Sequence, residues 1–451
     1  MNYKNLISLA FSLAVACSIS AAATPGDYVQ VHNGRFELHG KPFVVRGINY
    51  FGSWLFPRTI AGDGVEHSTI WTLYHDWDAH KASQDFAFIR TQLRATAVRI
   101  GTPALDEFDN LIVYHKWDPW YQPDGSISEG YKKDLVELAD AAYSNHVRIQ
   151  FCLIWNLGNE IAKKPDDFAP GGAMDRFYAN QVRSIGLALR DHPGVMAFSI
   201  GNEVLVNWPI NGMHTSAFEG RAAAVKRRRL HELRSIAPFQ LLTDDECSSP
   251  GCHLWHDPGP EFAMVSDPAE GQDTHPFRIA DEVDYLGPHF YPEELMPQDL
   301  PGDAFAPKIA DAQQKLAEYM KVASATGKPV VLDEFGLSPK PATLDPTAFA
   351  IHRDEFYRAF LGACEKDGVQ GVLSWGALPV FVLRPGDYTV TASKINPWSP
   401  LEVDIHSSAR RILFYAPCWD LFVWDAKGDE PLPTPSAKAL KAVWSKVPLP
   451  R

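Results

Sequence analysis

Residues 198–206 read FSIGNEVLV, an apolar run that is interrupted by Gly201, Asn202 and Glu203. Its first half has the composition of a buried β-strand. A buried carboxylate without partners costs several kcal/mol or changes its protonation state, so chains keep one mainly where it is paired or used. Taken alone, the stretch fits a structural ion pair as well as a functional carboxylate, and the rest of the chain has to decide.

Similar short apolar runs recur along the chain and predict eight strands, at 43–50, 97–101, 147–154, 195–203, 239–245, 283–291, 329–336 and 371–378. Stretches with helical periodicity lie between most of them, at 83–95, 131–144, 174–191, 218–236, 309–326 and 348–367, with a last one at 436–447. Eight strand–helix units predict an α/β fold, a (β/α)8 TIM barrel with long βα loops. The main rival, a doubly wound open sheet, is disfavoured because no strand precedes a Gly-rich phosphate loop.

The segment before the first predicted strand reads VQVHNGRFELHGKPF, and its Asn33-Gly34 and His39-Gly40 pairs indicate tight turns. It predicts a small N-terminal hairpin that caps the bottom of the barrel. Because no linker, repeat or low-complexity segment follows, residues 24–451 are predicted to form a single (β/α)8 domain.

Residues 1–23 have the layout of a secretory signal peptide, with Lys4, an apolar stretch over 6–19 and small residues at 21–23. The stretch is too short for a comfortable membrane span, so no integral membrane segment is expected. The mature protein is predicted to be secreted or periplasmic. Lipid anchoring at Cys17 is the less favoured alternative.

The overall charge and the cysteines limit the partners of the protein. A formal net charge of -13 argues against nucleic acid and other anionic partners. The basic run Lys226–Arg229 lies in a helical stretch and is predicted to be a solvated helix face. Cys247 and Cys252 are close together in a loop-like segment, which predicts a local disulfide in an exported protein.

Polar or aromatic residues end five of the predicted strands, where the chemistry of a barrel takes place. They are Arg99, Asn202 and Glu203, His289 and Tyr291, Asp333 and Glu334, and Trp375. Their convergence on one mouth is hard to explain as packing, because each buried ionisable group would otherwise need its own partner. Asp333 should point the opposite way from Glu334 along the strand and is therefore predicted to be structural.

Two carboxylates that face each other across a pocket suit the hydrolysis of a glycosidic bond. One acid protonates the leaving oxygen, and a second carboxylate lies on the other side of the bond. The barrel places strands four and seven, with Glu203 and Glu334, roughly opposite one another. A separation of about 5–5.5 Å would allow the second carboxylate to attack the anomeric carbon and retain its configuration.

An ordered set of motifs carries a resemblance to a known family. It comprises GINY at 47–50, Arg99, Asn202-Glu203, His289-Phe290-Tyr291, Glu334-Phe335-Gly336 and Trp375. Strand by strand, this set resembles glycoside hydrolase family 5, whose retaining barrel enzymes carry two glutamates on strands four and seven. The resemblance extends from about residue 30 to 380.

The resemblance implies that Glu203 is the general acid/base and Glu334 the nucleophile, with Asn202 binding the sugar 2-hydroxyl. It also implies substrate-binding roles for Asn49, Arg99, His289, Tyr291 and Trp375. A nucleophilic carboxylate must stay ionised, so Arg99 and the Tyr291 hydroxyl are expected to hold its pKa down.

Two positions depart from the family pattern. Val204 follows the acid/base where Pro is common, and the third strand ends in Trp155 and Asn156 instead of a His. Either of the latter residues could line the sugar site. The long loops are rich in Trp and Tyr, which suggests sugar-stacking subsites.

The predicted function is a retaining glycoside hydrolase acting on a β-linked polysaccharide or oligosaccharide. The LHGKPFVVRGINYFG start resembles the mannanase and exo-glycosidase side of the family slightly more than the glucanase side. A barrel transglycosylase and a non-catalytic carbohydrate-binding barrel are the alternatives. No cofactor or metal is expected, because the acidic and histidine-rich YHDWDAH segment has no established ligand spacing.

Overall fold

The computed structural model describes residues 23–50, 77–101, 124–153, 165–203, 216–245, 260–266, 276–291, 302–336, 346–375, 388–392, 401–405, 410–412, 421–424, 431–446 and 448–449. All but the last residue of the predicted signal peptide, together with Cys17, Cys247 and Cys252, lie outside these ranges. Export, lipid anchoring and the local disulfide therefore stay predictions.

The N-terminal segment folds into a small antiparallel sheet of three strands, β1 Gln30–His32, β2 Arg35–Leu38 and β3 Lys41–Pro42. Asn33 and Gly34 connect the first two strands with φ angles of 49° and 70°. His39 and Gly40 connect the next two with φ angles of 53° and 67°. Both predicted turns are confirmed, and they use the left-handed backbone that Gly and Asn tolerate best.

Eight parallel strands form the central sheet: β4 Val45–Asn49, β5 Ala97–Gly101, β6 Arg148–Cys152, β7 Val195–Asn202, β8 Leu241–Asp245, β9 His289–Phe290, β10 Val331–Phe335 and β11 Gly371–Ser374. Neighbouring strands pair in the order β8-β7-β6-β5-β4-β11-β10-β9, so the first strand lies beside the last. Between β8 and the approach to β9, the Asp284 N–H donates to the Leu242 carbonyl over 2.8 Å. The sheet is thus nearly closed, and the predicted barrel is confirmed.

Helices follow the strands in the order expected of strand–helix units. They are α1 Ala79–Gln92, α2 Glu129–Ser144, α3 Ala173–Leu189, α4 Ser216–Ile236, α5 Ile279–Glu282, α6 Gly302–Ser324, α7 Pro346–Asp367 and α8 Pro435–Trp444. Asp78, from the YHDWDAH segment, caps α1 by accepting hydrogen bonds from the backbone N–H groups of His80 and Lys81. In the part of the chain that the structure describes, no helix has the length and apolar character needed to cross a membrane.

The bottom of the barrel, at the N-terminal ends of the strands, is closed by the N-terminal sheet. Phe36 packs edge-on against Tyr285 with ring centroids 5.3 Å apart. The same apolar cluster holds Leu38, Phe43 and residues from six barrel strands, including Val45 and Leu373. The Gln370 amide also donates to the Gly34 carbonyl. The predicted cap is confirmed, and it buries apolar surface that an open barrel end would expose.

Arg46, a buried residue on β4, anchors the first barrel strand to the C-terminal segment. Its Nη1 donates to the Trp444 carbonyl over 2.6 Å and its Nη2 to the Pro448 carbonyl over 3.1 Å. Burial lowers the pKa of Arg46 to about 10. The side chain thus holds the end of α8 against the first barrel strand, which itself pairs with β11.

Two small antiparallel sheets lie in one stretch where the sequence indicated a loop. Residues 379–433 contain the antiparallel strands β12 Tyr388–Ala392, β13 Leu401–Ile405 and β14 Arg410–Ile412, and the pair β15 Phe422–Trp424 and β16 Pro431–Pro433. The alternation in YTVTA and LEVDI is a period-2 signal of the kind that marks strands.

The sixth barrel strand, β9, is shorter than predicted because Pro288 has no N–H to donate to a neighbouring strand.

The basic run Lys226–Arg229 is not a solvated helix face, and this prediction is wrong. The Lys226 ammonium group lies 2.7 Å from Asp244 on β8, with both side chains only 2% exposed. Arg227 pairs with Glu282 over 3.1 Å, and Arg229 lies 3.6 Å from Asp175. Each cation faces a carboxylate on a neighbouring element, so the run joins α4 to the elements around it and leaves no basic patch.

Candidate active site

The C-terminal ends of the barrel strands bring most of the predicted site residues to one mouth. Asn49, Arg99, Asn202, Glu203, His289, Tyr291, Glu334 and Trp375 all lie at or directly after the ends of β4, β5, β7, β9, β10 and β11. Register shifts occur in β7 between Ser199 and Asn202 and in β10 between Leu332 and Phe335. Such irregularities change the direction of side chains and are common beside active sites. Here each precedes or includes a glutamate of the site.

Arg99 is the centre of the site and is fully buried. Its Nη1 donates to Glu334 Oε1 over 2.5 Å and to Asn49 Oδ1 over 2.7 Å. Its Nη2 donates to Asn202 Oδ1 over 2.5 Å, and its Nε donates to Asp245 Oδ2 over 2.8 Å. One planar guanidinium therefore fixes four side chains from four strands, which its fork of donors allows and an ammonium group would not.

The contact with Asn202 fixes the orientation of that amide. Because Asn202 Oδ1 accepts from Arg99, its NH2 group faces away from the guanidinium. Asn49 is fixed in the same way, since its NH2 group donates to the Asp333 carbonyl over 3.1 Å. Asn202 can thus offer donors to a ligand, whereas Asn49 is engaged with the ends of its neighbouring strands.

Glu334 has hydrogen-bond donors at both carboxylate oxygens. Arg99 contacts Oε1, and the Tyr291 hydroxyl donates to Oε2 over 2.7 Å. Burial nonetheless raises the pKa of Glu334, and the positive charges of His289 and Arg99 only partly offset this. The expectation that Arg99 and Tyr291 hold this pKa below its ordinary value is wrong, because desolvation outweighs them.

Glu203 lies at the end of β7 in a left-handed backbone conformation, with φ of 47°. Its N–H donates to the Asp245 carbonyl over 2.6 Å, which ties it to the next strand. Its Oε1 lies 2.8 Å from His289 Nδ1. A non-glycine residue in this region carries strain of about 1–3 kcal/mol and occurs mainly where function demands it.

The two glutamates are close enough to act on one bond. Each offers an oxygen, and these atoms and a ring nitrogen of His289 all lie within 4.8 Å of one another. His289 Nδ1 also lies 3.4 Å from Glu334 Oε2. The nearest oxygens of the two carboxylates are thus closer than the separation of about 6.5–9.5 Å that leaves room for a water between two carboxyl groups.

The same three side chains are a group that could hold a metal ion. Burial alone lowers the pKa of His289, but Glu334 and the hydrogen bond with Glu203 raise it above its ordinary value. The short contact between His289 Nδ1 and Glu203 Oε1 fits a proton on that nitrogen, and a ring nitrogen that carries a proton cannot ligate a metal ion.

A second polar layer below the mouth was missed in the sequence. Gln150 on β6 donates through Nε2 to Asp333 Oδ2 over 2.7 Å and to Asp245 Oδ1 over 3.2 Å. Asp333 therefore points into the barrel, as Glu334 does, and the predicted opposite direction is wrong because the irregular register of β10 breaks the alternation. The end of the fifth strand, LLTDD, was the available signal for Asp245.

Trp375 follows β11 and is half-buried, and its N–H donates to the Phe335 carbonyl over 2.8 Å. The side chain is partly buried and packs against the core cluster. Trp155, Asn156 and Val204 lie outside the described residues, as do most of the aromatic loop residues. Their contributions to the site stay predictions.

The nearly closed barrel, with two glutamates converging on one mouth, defines the class of a barrel glycoside hydrolase. The sequence profile of the family described as "GH family 5 beta-mannosidase-like" matches residues 267–379. Mannan endo-1,4-beta-mannosidase 7 of Arabidopsis thaliana is 24% identical over 391 residues, which cover 82% of this chain and 83% of that protein. Both matches agree with the resemblance to glycoside hydrolase family 5 that the motifs carry.

Two solved structures share the fold. The exo-beta-1,4-mannosidase from Opitutaceae bacterium strain TAV5 has a TM-score of 0.56 and 19% identity, over 92% of this chain and 62% of that chain. This chain therefore spans about three fifths of that enzyme's length. A family 5 mannosidase of Rhizomucor miehei, in complex with mannosyl-fructose, has a TM-score of 0.50 and 14% identity, over 94% of this chain and 97% of that one.

Proposed function

We propose that the protein hydrolyses β-mannosidic bonds with retention of configuration, using Glu334 as nucleophile and Glu203 as general acid/base. The observation that carries this proposal is the close pair of differently held carboxylates. Glu334 is bound by Arg99 and Tyr291, whereas Glu203 is bound by His289 and is the more exposed of the two, with 18% of its side chain accessible. Two carboxylates in unlike settings suit two unlike roles.

In the first step, Glu203 donates its proton to the glycosidic oxygen while the bond from that oxygen to the anomeric carbon breaks. A Glu334 oxygen forms a new bond to the anomeric carbon, which gives a glycosyl-enzyme and releases the first product. Arg99, buried on one side of Glu334, holds the carboxylate while its charge is consumed. Asn202 directs its amide donors to the sugar, where a hydrogen bond to the 2-hydroxyl strengthens in the transition state.

In the second step, the Glu203 carboxylate accepts a proton from water, and the water oxygen bonds to the anomeric carbon. The bond to Glu334 breaks, the sugar leaves with its original configuration, and Glu203 is protonated again. His289, which contacts Glu203 and lies near Glu334, supports both charge states of the pair because its proton can be shared with either carboxylate.

The names of similar proteins support the substrate class. The matching family profile is described as mannosidase-like, and the plant relative is named as a mannan endo-1,4-beta-mannosidase. These names support a β-linked mannan or manno-oligosaccharide as substrate. Export through the N-terminal segment belongs to the same proposal, since a polymeric substrate lies outside the cell.

Glu334→Gln is expected to lower kcat on an aryl-β-mannoside by about 10⁴-fold or more, because the amide cannot form the glycosyl-enzyme. Glu203→Ala should spare the first step for a dinitrophenyl leaving group, which needs no proton, and should regain turnover when azide replaces water. Glu129→Ala, at a side chain that is 87% exposed, is the matched control and should behave as wild type. If the wild type and both active-site variants show the same rate, that of the uncatalysed reaction, the protein would be a carbohydrate-binding barrel without catalysis.

The stereochemical outcome and the acceptor are tested separately. Proton NMR of the first product should show the retained anomer, and initial release of the inverted anomer would contradict the role of Glu334. Product analysis at high substrate concentration then distinguishes hydrolysis from transglycosylation, in which a second sugar intercepts the same intermediate. Comparison of mannan with aryl-β-mannosides separates internal cleavage from release of terminal sugars.

A further inference from the structure

Two buried carboxylates below the mouth, Asp245 on β8 and Asp333 on β10, take no part in the proposed reaction. Both side chains are fully buried. Gln150 Nε2 contacts Asp333 Oδ2 over 2.7 Å and Asp245 Oδ1 over 3.2 Å, so these two oxygens lie within reach of one amide group. Gly287 leaves space for the pair, because a Cβ at that position would lie 2.0 Å from Asp333 Oδ2.

The positive charge available to the two carboxylates is unequally shared. Arg99 directs both Nε and Nη2 to Asp245 Oδ2, each over 2.8 Å, while its Nη1 is bound to Glu334. Among the described residues, no ion pair reaches Asp333, and its side chain is bound by an uncharged amide. Asp245 and Glu334 therefore share one guanidinium, with His289 as the other nearby cation, and an ionised Asp333 would be a buried anion without a cation of its own.

We propose that Asp245 and Asp333 hold one proton between them, carried by Asp333, and that the pair positions Arg99 for Glu334. This inference rests on the proposed function, because it assigns the pair to the support of the nucleophile. Neutral Asp333 donates to Asp245, and ionised Asp245 in turn holds the guanidinium by its Nε side. Only the outer Nη1 is then directed to Glu334. Both aspartates are positioning residues, since neither contacts Glu334 itself.

The electrostatics of the surroundings agree with this assignment. Burial raises the pKa of Asp333 well above its ordinary value, and Asp245 raises it further. Burial also opposes ionisation of Asp245, but Arg99, the hydrogen bond from Asp333 and His289 together lower its pKa. The other ionisable groups that act on the pair are Arg99 on β5, Tyr285 before β9, His289 on β9 and Tyr319 on α6. Cys152 on β6 and Glu334 on β10 act on Arg99 instead.

The shared proton can be tested by the pH dependence of folding, without any assay of activity. If native Asp333 keeps a proton that the unfolded chain loses, the wild-type folding constant falls as pH rises from the ordinary Asp pKa towards the raised native one. Urea unfolding between pH 5 and 8 measures this folding constant. For each pH unit, it should fall by about tenfold more in the wild type than in Asp333→Asn. Asp191→Asn, at an 84% exposed side chain, should parallel the wild type.

A slope for Asp333→Asn that equals the wild-type slope would overturn the proposal. Where unfolding is not reversible, infrared difference spectra at pH 7 test whether Asp333 carries the proton. The carbonyl band of one protonated carboxylic acid should be lost in Asp333→Asn and kept in Asp245→Asn and Asp191→Asn. Retention of that band in Asp333→Asn would place the proton elsewhere and contradict the assignment.

Kinetics on an aryl-β-mannoside test the positioning role. Asp333→Asn should lower kcat by less than about fivefold, because an amide replaces a neutral acid and can donate as well. Asp245→Asn should lower kcat by about hundredfold with a similar KM, since Arg99 loses the partner that orients it. The acid limb of its kcat/KM profile should move to higher pH, because a guanidinium that is no longer oriented stabilises the Glu334 carboxylate less. Equal losses in both variants, or an unmoved acid limb in Asp245→Asn, would contradict the role.

Failure of this inference can be distinguished from failure of the proposed function. A wild type that turns over no glycoside would refute the proposed function, while the folding and infrared results would still decide whether Asp245 and Asp333 share a proton.

Discussion

The two ends of the barrel are built from the same eight strands but have opposite chemistry. At the bottom, Phe36, Leu38 and Phe43 of the N-terminal segment fill the opening with apolar contacts. At the mouth, Arg99, Asp245 and Glu334 bring buried charges together within hydrogen-bonding distance. Burial of apolar groups stabilises a fold, whereas buried ion pairs seldom repay their loss of hydration. The difference indicates that apolar burial at the bottom stabilises the fold, whereas the buried charges at the mouth reduce that stability.

Arg99→Met is expected to have the largest effect, because it removes the one cation shared by Asn202, Asp245 and Glu334. Two buried carboxylates would be left uncompensated, which should cost about 3–5 kcal/mol of unfolding free energy. The kcat on an aryl-β-mannoside should fall by about 10³-fold, since Glu334 loses its buried donor. Urea unfolding and steady-state kinetics measure the two losses.

Arg190→Met is the matched control for that change, because Arg190 pairs with Asp191 at the surface and is 47% exposed. It should alter neither stability nor rate. A stable but inactive Arg99→Met protein would mean that the mouth does not depend on this charge for its folding, and the contrast between the two ends would then be weaker than proposed.

Phe36→Ala is expected to separate stability from activity at the other end. The ring is buried against Tyr285, so its loss should cost about 3 kcal/mol of unfolding free energy through lost burial and a cavity. The kcat should stay at the wild-type value at temperatures where the variant is folded. Met264→Ala, at a side chain that is 60% exposed, serves as the control. A marked fall in kcat for Phe36→Ala would show that the two ends are coupled.

Asn33→Ala is expected to have the smallest effect, about 1 kcal/mol of unfolding free energy, because alanine is strained at a φ of 49°. Asn33→Gly should be close to wild type, since glycine adopts this backbone without strain. Thermal unfolding of the two variants measures the difference. If both variants melt together, the turn does not contribute through its backbone conformation.

The fold was largely predictable because its signals are local and repeated. Each barrel strand is an apolar run and most helices have a clear period, so the number and order of the units follow from the sequence. The strands β12–β14 were missed even though YTVTA and LEVDI alternate. Once eight units are assigned to a barrel, a long connection is expected to be a loop.

The site was predictable to the extent that its residues end strands. Arg99, Asn202, Glu203, His289, Tyr291 and Glu334 come together at the mouth as the barrel topology requires. Gln150, Asp245 and the direction of Asp333 were not predictable, because they depend on the depth of each side chain and on the irregular register of β10. The pKa of Glu334 was misjudged for a related reason. Sequence identifies its partners but not the extent of its burial.

The hydrogen bonds from Arg46 to the C-terminal segment limit when the barrel can close during synthesis. Arg46 and Trp444 are 398 residues apart in the sequence, and β4 pairs with β11 only after both strands are available. At about 5–20 residues per second, a ribosome needs on the order of 20–80 s to proceed from the first partner to the second. The first barrel strand therefore has one edge unpaired until β11 has been synthesised, and closure of the ring follows the synthesis of all the other barrel strands.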